Sequence, residues 1–132
     1  MQRILLRAIA IFATAVAGSA LAAGLSPIQV QSGLGQPFSA EVELQGLTAD
    51  DMLTAQTRIA SREEYEKAGV PMISVIHSMR VSIVERAKDK WFLKLTSSAP
   101  VNEPAITLMV EFSWRGGRIL QKYPVLLDPP KV

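Results

Sequence analysis

The sequence of 132 residues contains no cysteine and a single histidine, and each of these absences excludes a kind of chemistry. Without cysteine the chain forms no disulfide and carries no lipid on an N-terminal cysteine, so packing must supply its stability. His77 alone cannot build a zinc site or a Ser-His-Asp triad from partners that the sequence indicates. We therefore predict no catalytic residue, no metal and no cofactor.

The short motifs of known enzyme classes are also missing. The stretch Ser32-Gly33-Leu34-Gly35 lacks the G-x-S-x-G order of a nucleophile elbow, and no Lys-Ser or Lys-Thr follows it as in a phosphate loop. Neighbouring carboxylates at 50–51 and 63–64 are typical of solvated helix caps, whereas a glycosidase needs two carboxylates facing each other across a cleft. The sequence thus predicts a protein that is not an enzyme.

The first 22 residues differ in composition from the rest. Arg3 and Arg7 precede an uncharged apolar run over residues 8–21, and Ala20-Leu21-Ala22 has the small-x-small pattern of a signal peptidase site. The apolar run is shorter than the roughly 20 residues that span a bilayer. We predict a cleavable signal peptide at residues 1–22 and no membrane span after cleavage.

Removal of this segment changes the charge of the chain. Two of the 14 basic residues lie in residues 1–22, so 12 basic and 12 acidic side chains would remain and the formal net charge would fall from +2 to 0. A neutral domain gives no electrostatic argument for nucleic acid or anionic lipid as a partner. We predict that the protein binds no nucleic acid.

Apolar and polar residues alternate through most of the remaining chain, which predicts β-strands. The clearest alternating runs lie at residues 28–31, 38–45, 79–83, 91–96, 106–114 and 119–127. Residues 53–60 are ambiguous between a strand and a short helix, and we favour the strand. With that segment the count is about seven strands, typical of an antiparallel all-β sandwich of the immunoglobulin-like kind.

One short helix interrupts the strands. Ser61 with Glu64 three residues later forms a capping box, and Gly69 before Pro71 supplies a stop signal. The pattern predicts one or two helical turns at the surface of the sandwich.

The strongest hairpin signal lies in residues 106–127. Apolar residues occupy one face of 106–114, while Thr107, Glu111 and Ser113 make the other mostly polar, which predicts a strand buried on one side. Gly116 and Gly117 then predict a two-residue turn with positive φ angles.

Two basic clusters are candidates for binding a partner. One contains Arg86, Lys88, Lys90 and Lys94, and the other is the pair Arg115 and Arg118 beside the predicted turn. Each could hold an anionic wall polymer or an acidic protein face. Alternatively, these charges protect strand edges and turns against edge pairing. The candidate partner-binding residues are Lys88, Lys90, Arg115, Gly116, Gly117 and Arg118.

Four ordered stretches carry a family likeness. They are residues 28–44 with the run IQVQSGLGQPFSAEVEL, residues 59–70, residues 97–104, and residues 110–130, which end in Leu-Leu-Asp-Pro-Pro. Together they resemble the periplasmic N-terminal domain of the FimV family, whose opening run is V-x-S-x-L-G-Q-P-L-x-A-x-I-x-L. The resemblance covers residues 23–130, and it implies a FimV N-terminal-like β-sandwich domain there.

FimV-like proteins are large inner-membrane proteins implicated in type IV pilus assembly, twitching motility and organisation of the cell pole. The resemblance implies a non-enzymatic periplasmic interaction module whose partners are envelope or pilus-assembly proteins, with peptidoglycan a possible further partner. A peptidoglycan-associated or chaperone-like envelope domain is the alternative, and a cell-wall enzyme is a further one. The 132 residues contain no LysM module, so peptidoglycan binding of that kind is not implied. The oligomeric state stays open.

Overall fold

The computed structural model describes residues 23–129 as two antiparallel β-sheets packed face to face. The predicted signal peptide at residues 1–22 lies outside the described residues. The strands are β1 (Gly24–Leu25), β2 (Gln29–Val30), β3 (Pro37–Gln45), β4 (Gln56–Ile59), β5 (Met79–Ala87), β6 (Lys90–Pro100), β7 (Ala105–Trp114) and β8 (Gly117–Leu126). The helices are α1 (Ala49–Met52), α2 (Arg62–Ala68) and a 3₁₀ helix (Ser74–Ser78).

The strand order confirms the predicted antiparallel sandwich. One sheet has the order β1-β3-β6-β5, with β2 also paired to β3, and the other has the order β4-β7-β8. The predicted hairpins are β5–β6 and β7–β8. The described residues contain eight strands instead of about seven, because two residues at the start pair with the end of β3.

The core lies between the inner faces of the two sheets. Val42, Leu93 and Leu95 enter it from the larger sheet, and Leu108 and Phe112 enter it from the smaller one, all fully buried. Burial of each such side chain contributes about 1.5–3 kcal/mol to folding. Since the chain has no cysteine, this apolar core provides stability that disulfides supply in many exported proteins.

Residues 53–60, which the sequence left ambiguous between strand and helix, form a strand where they pair with β7. Gln56–Ile59 forms β4 and pairs with Ser113–Val110 of β7. The single helical turn α1 precedes it and begins with a capping box in which Thr48 and Asp51 bond to each other's backbone N–H. The strand interpretation is confirmed for four residues, and a turn occupies residues 53–54.

The prediction that β7 is buried on one side only was wrong. Its outer face is also covered, and Glu111 is only 9% exposed and Met109 only 2%. The cause is α2, which lies over this face and inserts Tyr65, itself 0% exposed. The hydroxyl of Tyr65 accepts the N–H of Met109 (2.9 Å) and donates to the C=O of Thr107 (3.3 Å). It therefore occupies the place that a longer β4 would take beside β7.

The predicted positive φ angles of the hairpin turn are also not found. The two-residue loop is Arg115–Gly116, because Trp114 pairs with Gly117. Neither Gly116 nor Gly117 has a positive φ; in the described chain the residues that do are Gly35, Gly46, Gly69 and Asp89. Gly116 is needed for space instead, since a Cβ there would lie 2.6 Å from Nε1 of Trp114.

The topology places the tips of both hairpins at the same end of the sandwich. Residues 101–104 join β6 to β7 at the opposite end, so β6 starts and β7 ends beside one another. β3 also finishes at this end, opposite Phe92, and leads into α1. The N–H of Arg115 bonds to Oγ1 of Thr54 in the segment after α1 (2.9 Å), which ties the end together.

Candidate partner-binding surfaces

The candidate residues Lys88 and Lys90 lie at the tip of the β5–β6 hairpin. Both are exposed, and neither forms an ion pair with another described residue. The other two members of their cluster behave differently. Arg86 and Lys94 both contact the carboxylate of Glu41 on the outer face of the larger sheet. The cluster thus divides into two paired charges on the sheet and two free charges at the tip.

Arg115 lies at the tip of the other hairpin, beside an open depression of about 280 Å³. The depression is lined by Asp50, Asp51, Leu53 and Thr54 as well as Arg115. No ion pair joins Arg115 to these aspartates among the described residues. This end of the sandwich therefore carries basic and acidic side chains together, with Leu53 82% exposed between them.

Arg118 is held in a network of four charges on the outer face of the smaller sheet. Its Nε lies 2.7 Å from Oε1 of Glu111, and its Nη2 lies 2.9 Å from Oε2 of Glu64. Arg58 bonds the same two carboxylates, at 2.7 Å to Glu111 and 2.9 Å to Glu64. Two arginines and two glutamates therefore neutralise one another and fasten α2 to β4, β7 and β8.

The network changes the acidity of Glu64. The hydrogen bond from Arg58, followed by the one from the backbone N–H of Ser61, lowers the pKa of Glu64 to about 2 from its usual 4.5. The two bonds favour the charged carboxylate because each donates to it. Glu64 thus caps the start of α2 and anchors this helix to the sheet in its ionised form.

Sequence reasoning did not find the network, although part of its signal was present. Arg58 and Glu111 both occupy polar positions of alternating strands, and Glu64 was recognised as a cap residue. What the sequence does not show is that β4 pairs with β7 in the register that sets Arg58 opposite Glu111. Cross-strand partners of opposite charge stabilise a sheet, but they can be recognised in a sequence only once the register is known.

Other features of the described chain give no sign of a metal centre or a membrane segment. No group of three or more His, Cys, Asp or Glu side chains within residues 23–129 is placed to hold a metal ion. Over the same residues, no helix has the length and apolar character needed to cross a bilayer.

Fold and surface together define a class: an immunoglobulin-like β-sandwich with charged hairpin tips and a helix fastened to one sheet. The family model for the FimV N-terminal Ig-like domain matches residues 23–130, so the chain belongs to the FimV N-terminal domain family. This confirms the family that the sequence motifs indicated.

Two curated relatives agree with this assignment. Both are motility hub proteins FimV of Pseudomonas aeruginosa, from strains PAO1 and UCBPP-PA14, and each is 38% identical over 130 residues. The alignment covers 97% of this chain but 14% of each relative. The chain therefore spans about one seventh of the length of the curated relatives it matches. No solved structure matches the chain.

Proposed function

We propose that this domain is a non-enzymatic interaction module of the periplasm that binds protein partners in type IV pilus assembly, twitching motility or organisation of the cell pole. The observation that carries the proposal is the 38% identity to motility hub proteins over nearly the whole chain. A hub acts by holding partners, and the relatives' name describes that role.

The sequence of residues 1–22 supports the periplasmic location. Their two arginines, apolar run and small residues at 20 and 22 are the features that the secretion machinery and signal peptidase use. A fusion of residues 1–130 to alkaline phosphatase, which is active only after export, tests this location. An active, processed fusion supports it, and an inactive cytoplasmic fusion contradicts it.

The hairpin-tip end is the partner-binding surface that the candidate residues define. Lys88, Lys90 and Arg115 are exposed, at one end of the sandwich, and free of ion pairs within the described chain. Gly116 and Gly117 support this tip, since they leave room for the ring of Trp114. Arg118 contributes from the side, although its guanidinium is shared with Glu64 and Glu111. Acidic groups of a partner protein fit Lys88, Lys90 and Arg115, whereas basic groups fit Asp50 and Asp51 beside Arg115.

The experiment that tests the proposal is a domain exchange in Pseudomonas aeruginosa. The corresponding N-terminal domain of the motility hub protein FimV is deleted or replaced by residues 23–130, and twitching is measured on agar. We expect the replacement to restore twitching relative to the deletion. A replacement carrying Val110→Asp serves as the control for folding, because Val110 is fully buried.

Two outcomes contradict the proposal. If the replaced protein accumulates normally but twitches no better than the deletion, the domain does not serve motility. If Lys88→Glu combined with Arg115→Glu leaves twitching at the level of the unmodified replacement, the hairpin tips are not the partner-binding surface.

A further inference from the structure

The outer edge of β8 lies outside the charge network of Arg58, Glu64, Glu111 and Arg118. The two-residue turn makes Trp114 and Gly117 a hydrogen-bonded pair, so odd-numbered residues of β8 direct their backbone groups to β7. The bond from the N–H of Leu127 to the C=O of Pro104 (2.8 Å) keeps the same alternation. Residues 118, 120 and 122 therefore direct N–H and C=O groups outward, where they bond to no other described backbone.

Pro124 sets the limit of this open edge. It stands at the next outward-facing position, and proline has no N–H to offer. The outer edge of residues 118–122 thus has no backbone partner within the described chain, and it ends at a proline; its one side-chain contact is from Nε2 of Gln121 to the C=O of Lys122 (3.4 Å). Such a stretch is long enough to hold a few residues of an added strand.

Other edges within residues 23–129 are short or lie beside another strand. β1 and β2 have two residues each. β4 has four residues, and the Tyr65 hydroxyl replaces its continuation beside β7. β5 lies alongside β4 across the side of the sandwich. The edge of β8 over residues 118–122, by contrast, forms no backbone bond with any other element of the described chain.

An open groove of about 440 Å³ lies beside the β8 edge on the outer face of the sheet. Its lining consists of Glu64, Lys67, Ala68, Met109, Arg118 and Leu120. Leu120 is 40% exposed there, so the groove presents an apolar side chain next to unpaired backbone. A strand added to β8 would set a side chain beside Leu120 and cover it.

The charge of this surface favours an acidic occupant. Arg58, Arg118, Glu64 and Glu111 neutralise one another, whereas Lys67 and Lys122 have no ion-pair partner among the described residues. The groove and edge therefore carry an excess of positive charge. A carboxylate directly opposite Lys122 would gain a favourable cross-strand pair.

The same charges oppose a second copy of this chain. Antiparallel pairing of two β8 strands centred on Leu120 would set Lys122 of one copy opposite Arg118 of the other. Pairing centred on Lys122 would set two lysines opposite each other. Like charges directly opposite are destabilising, so these two registers are disfavoured for a second copy.

We propose that residues 118–122 of β8 bind an extended acidic segment of a partner protein by strand addition. An apolar side chain of the segment packs on Leu120, and a carboxylate lies beside Lys122. This inference rests on the proposed function as an interaction module, and it gives that module a second surface and a partner chemistry.

The test uses synthetic peptides and the purified protein labelled for NMR. The first probe is as long as β8 and repeats Val-Thr-Asp-Thr, so that valine and aspartate follow one another along one face and can lie opposite Leu120 and Lys122. The second probe carries lysine in place of aspartate, and the third is the acidic peptide with alternate backbone nitrogens methylated. We expect the acidic probe to shift the amides of residues 118, 120 and 122. The lysine and methylated probes should bind at least about tenfold more weakly, since one lacks charge complementarity and the other cannot pair.

Variants of the protein locate the effect. Lys122→Glu should weaken the acidic probe about tenfold, because an attraction is replaced by a repulsion. Arg80→Glu is the matched control, since it makes the same change of charge at an exposed position of β5 in the other sheet, and it should leave binding unchanged. Leu120→Pro should abolish binding, because it removes one outward N–H and no bond to β7; Lys122→Glu decides the matter if that variant fails to fold.

Three results would overturn the inference. These are equal binding of the acidic and lysine probes, amide shifts confined to other strands or to the hairpin tips, and no binding of the acidic probe at millimolar concentration. The domain exchange described under the proposed function measures twitching motility and does not involve these peptides. A restored motility with no peptide binding would therefore reject this inference and leave the proposed function standing.

Discussion

Replacing Tyr65 by phenylalanine removes one oxygen atom and keeps the ring that fills the space between α2 and β7. The hydroxyl accepts the N–H of Met109 at 2.9 Å and donates to the C=O of Thr107 at 3.3 Å. Because Met109 is buried, water cannot replace the lost partner of its N–H. A buried donor left without a partner costs about 1–3 kcal/mol. For a domain of this size the melting temperature should fall by about 4–12 °C.

Thermal unfolding followed by circular dichroism measures this loss, and Tyr123→Phe is its control. The hydroxyl of Tyr123 donates to the C=O of Ser26 at 2.8 Å, so its removal leaves a carbonyl, and no N–H, without that partner. We expect a smaller loss, of about 0.5–1.5 kcal/mol. Hydrogen exchange should show in addition that the amide of Met109 loses protection in Tyr65→Phe alone.

The reasoning is refuted if Tyr65→Phe melts within a degree of the parent while the amide of Met109 stays protected. In that case the hydroxyl does not replace a missing strand residue, and packing of the ring alone would hold α2 in place.

Three further predictions concern stability and can be checked by chemical or thermal unfolding. Val110→Asp should cost about 3 kcal/mol or more, because a lone carboxylate would replace a fully buried side chain; a soluble variant that melts like the parent would contradict the strand phase. Glu64→Gln should destabilise the domain most above pH 4.5. The pKa of Glu64 in the folded domain is about 2, so the stability due to its charge is complete above the usual 4.5 and is lost as the pH falls towards 2. A constant difference between parent and variant over this pH range would argue against the ion pairs. Gly69→Ala should cost about 1 kcal/mol, since φ there is +69° and no atom crowds the site; an unchanged melting temperature would show that the helix end relaxes.

Much of the fold follows from local patterns in the sequence. The period-two alternation in residues 38–45 and 106–114 locates long strands because each must bury one face against the other sheet. The capping box of Ser61 and Glu64 and the stop at Gly69 locate α2 because these residues bond to the ends of their own helix. Such signals depend on neighbours within a few positions, and the sequence contains them in full.

Features that depend on contacts between distant residues could not be predicted in this way. Glu111 was placed on an exposed face, and only the position of α2 over β7 explains its burial. The need for Gly116 likewise comes from the ring of Trp114, which folds over the turn. The candidate charges at the tips were found from composition, but their location at one end depends on the crossing from β6 to β7. Pro124 limits the free edge of β8 because its nitrogen faces away from β7, and this direction is known only from the pairing of β8 with β7.

The Tyr65 hydroxyl has a consequence for the stoichiometry of any complex formed by strand addition. Because it takes up backbone groups of β7 beyond the end of β4, an added strand could pair with that part of β7 only by displacing α2, and β4 itself has only four residues, which lie near β5. Growth from the β8 side alone cannot propagate, since an open fibre needs two complementary edges on every subunit. A strand bound at β8 would therefore complete this sheet as a one-to-one complex and would not seed a polymer.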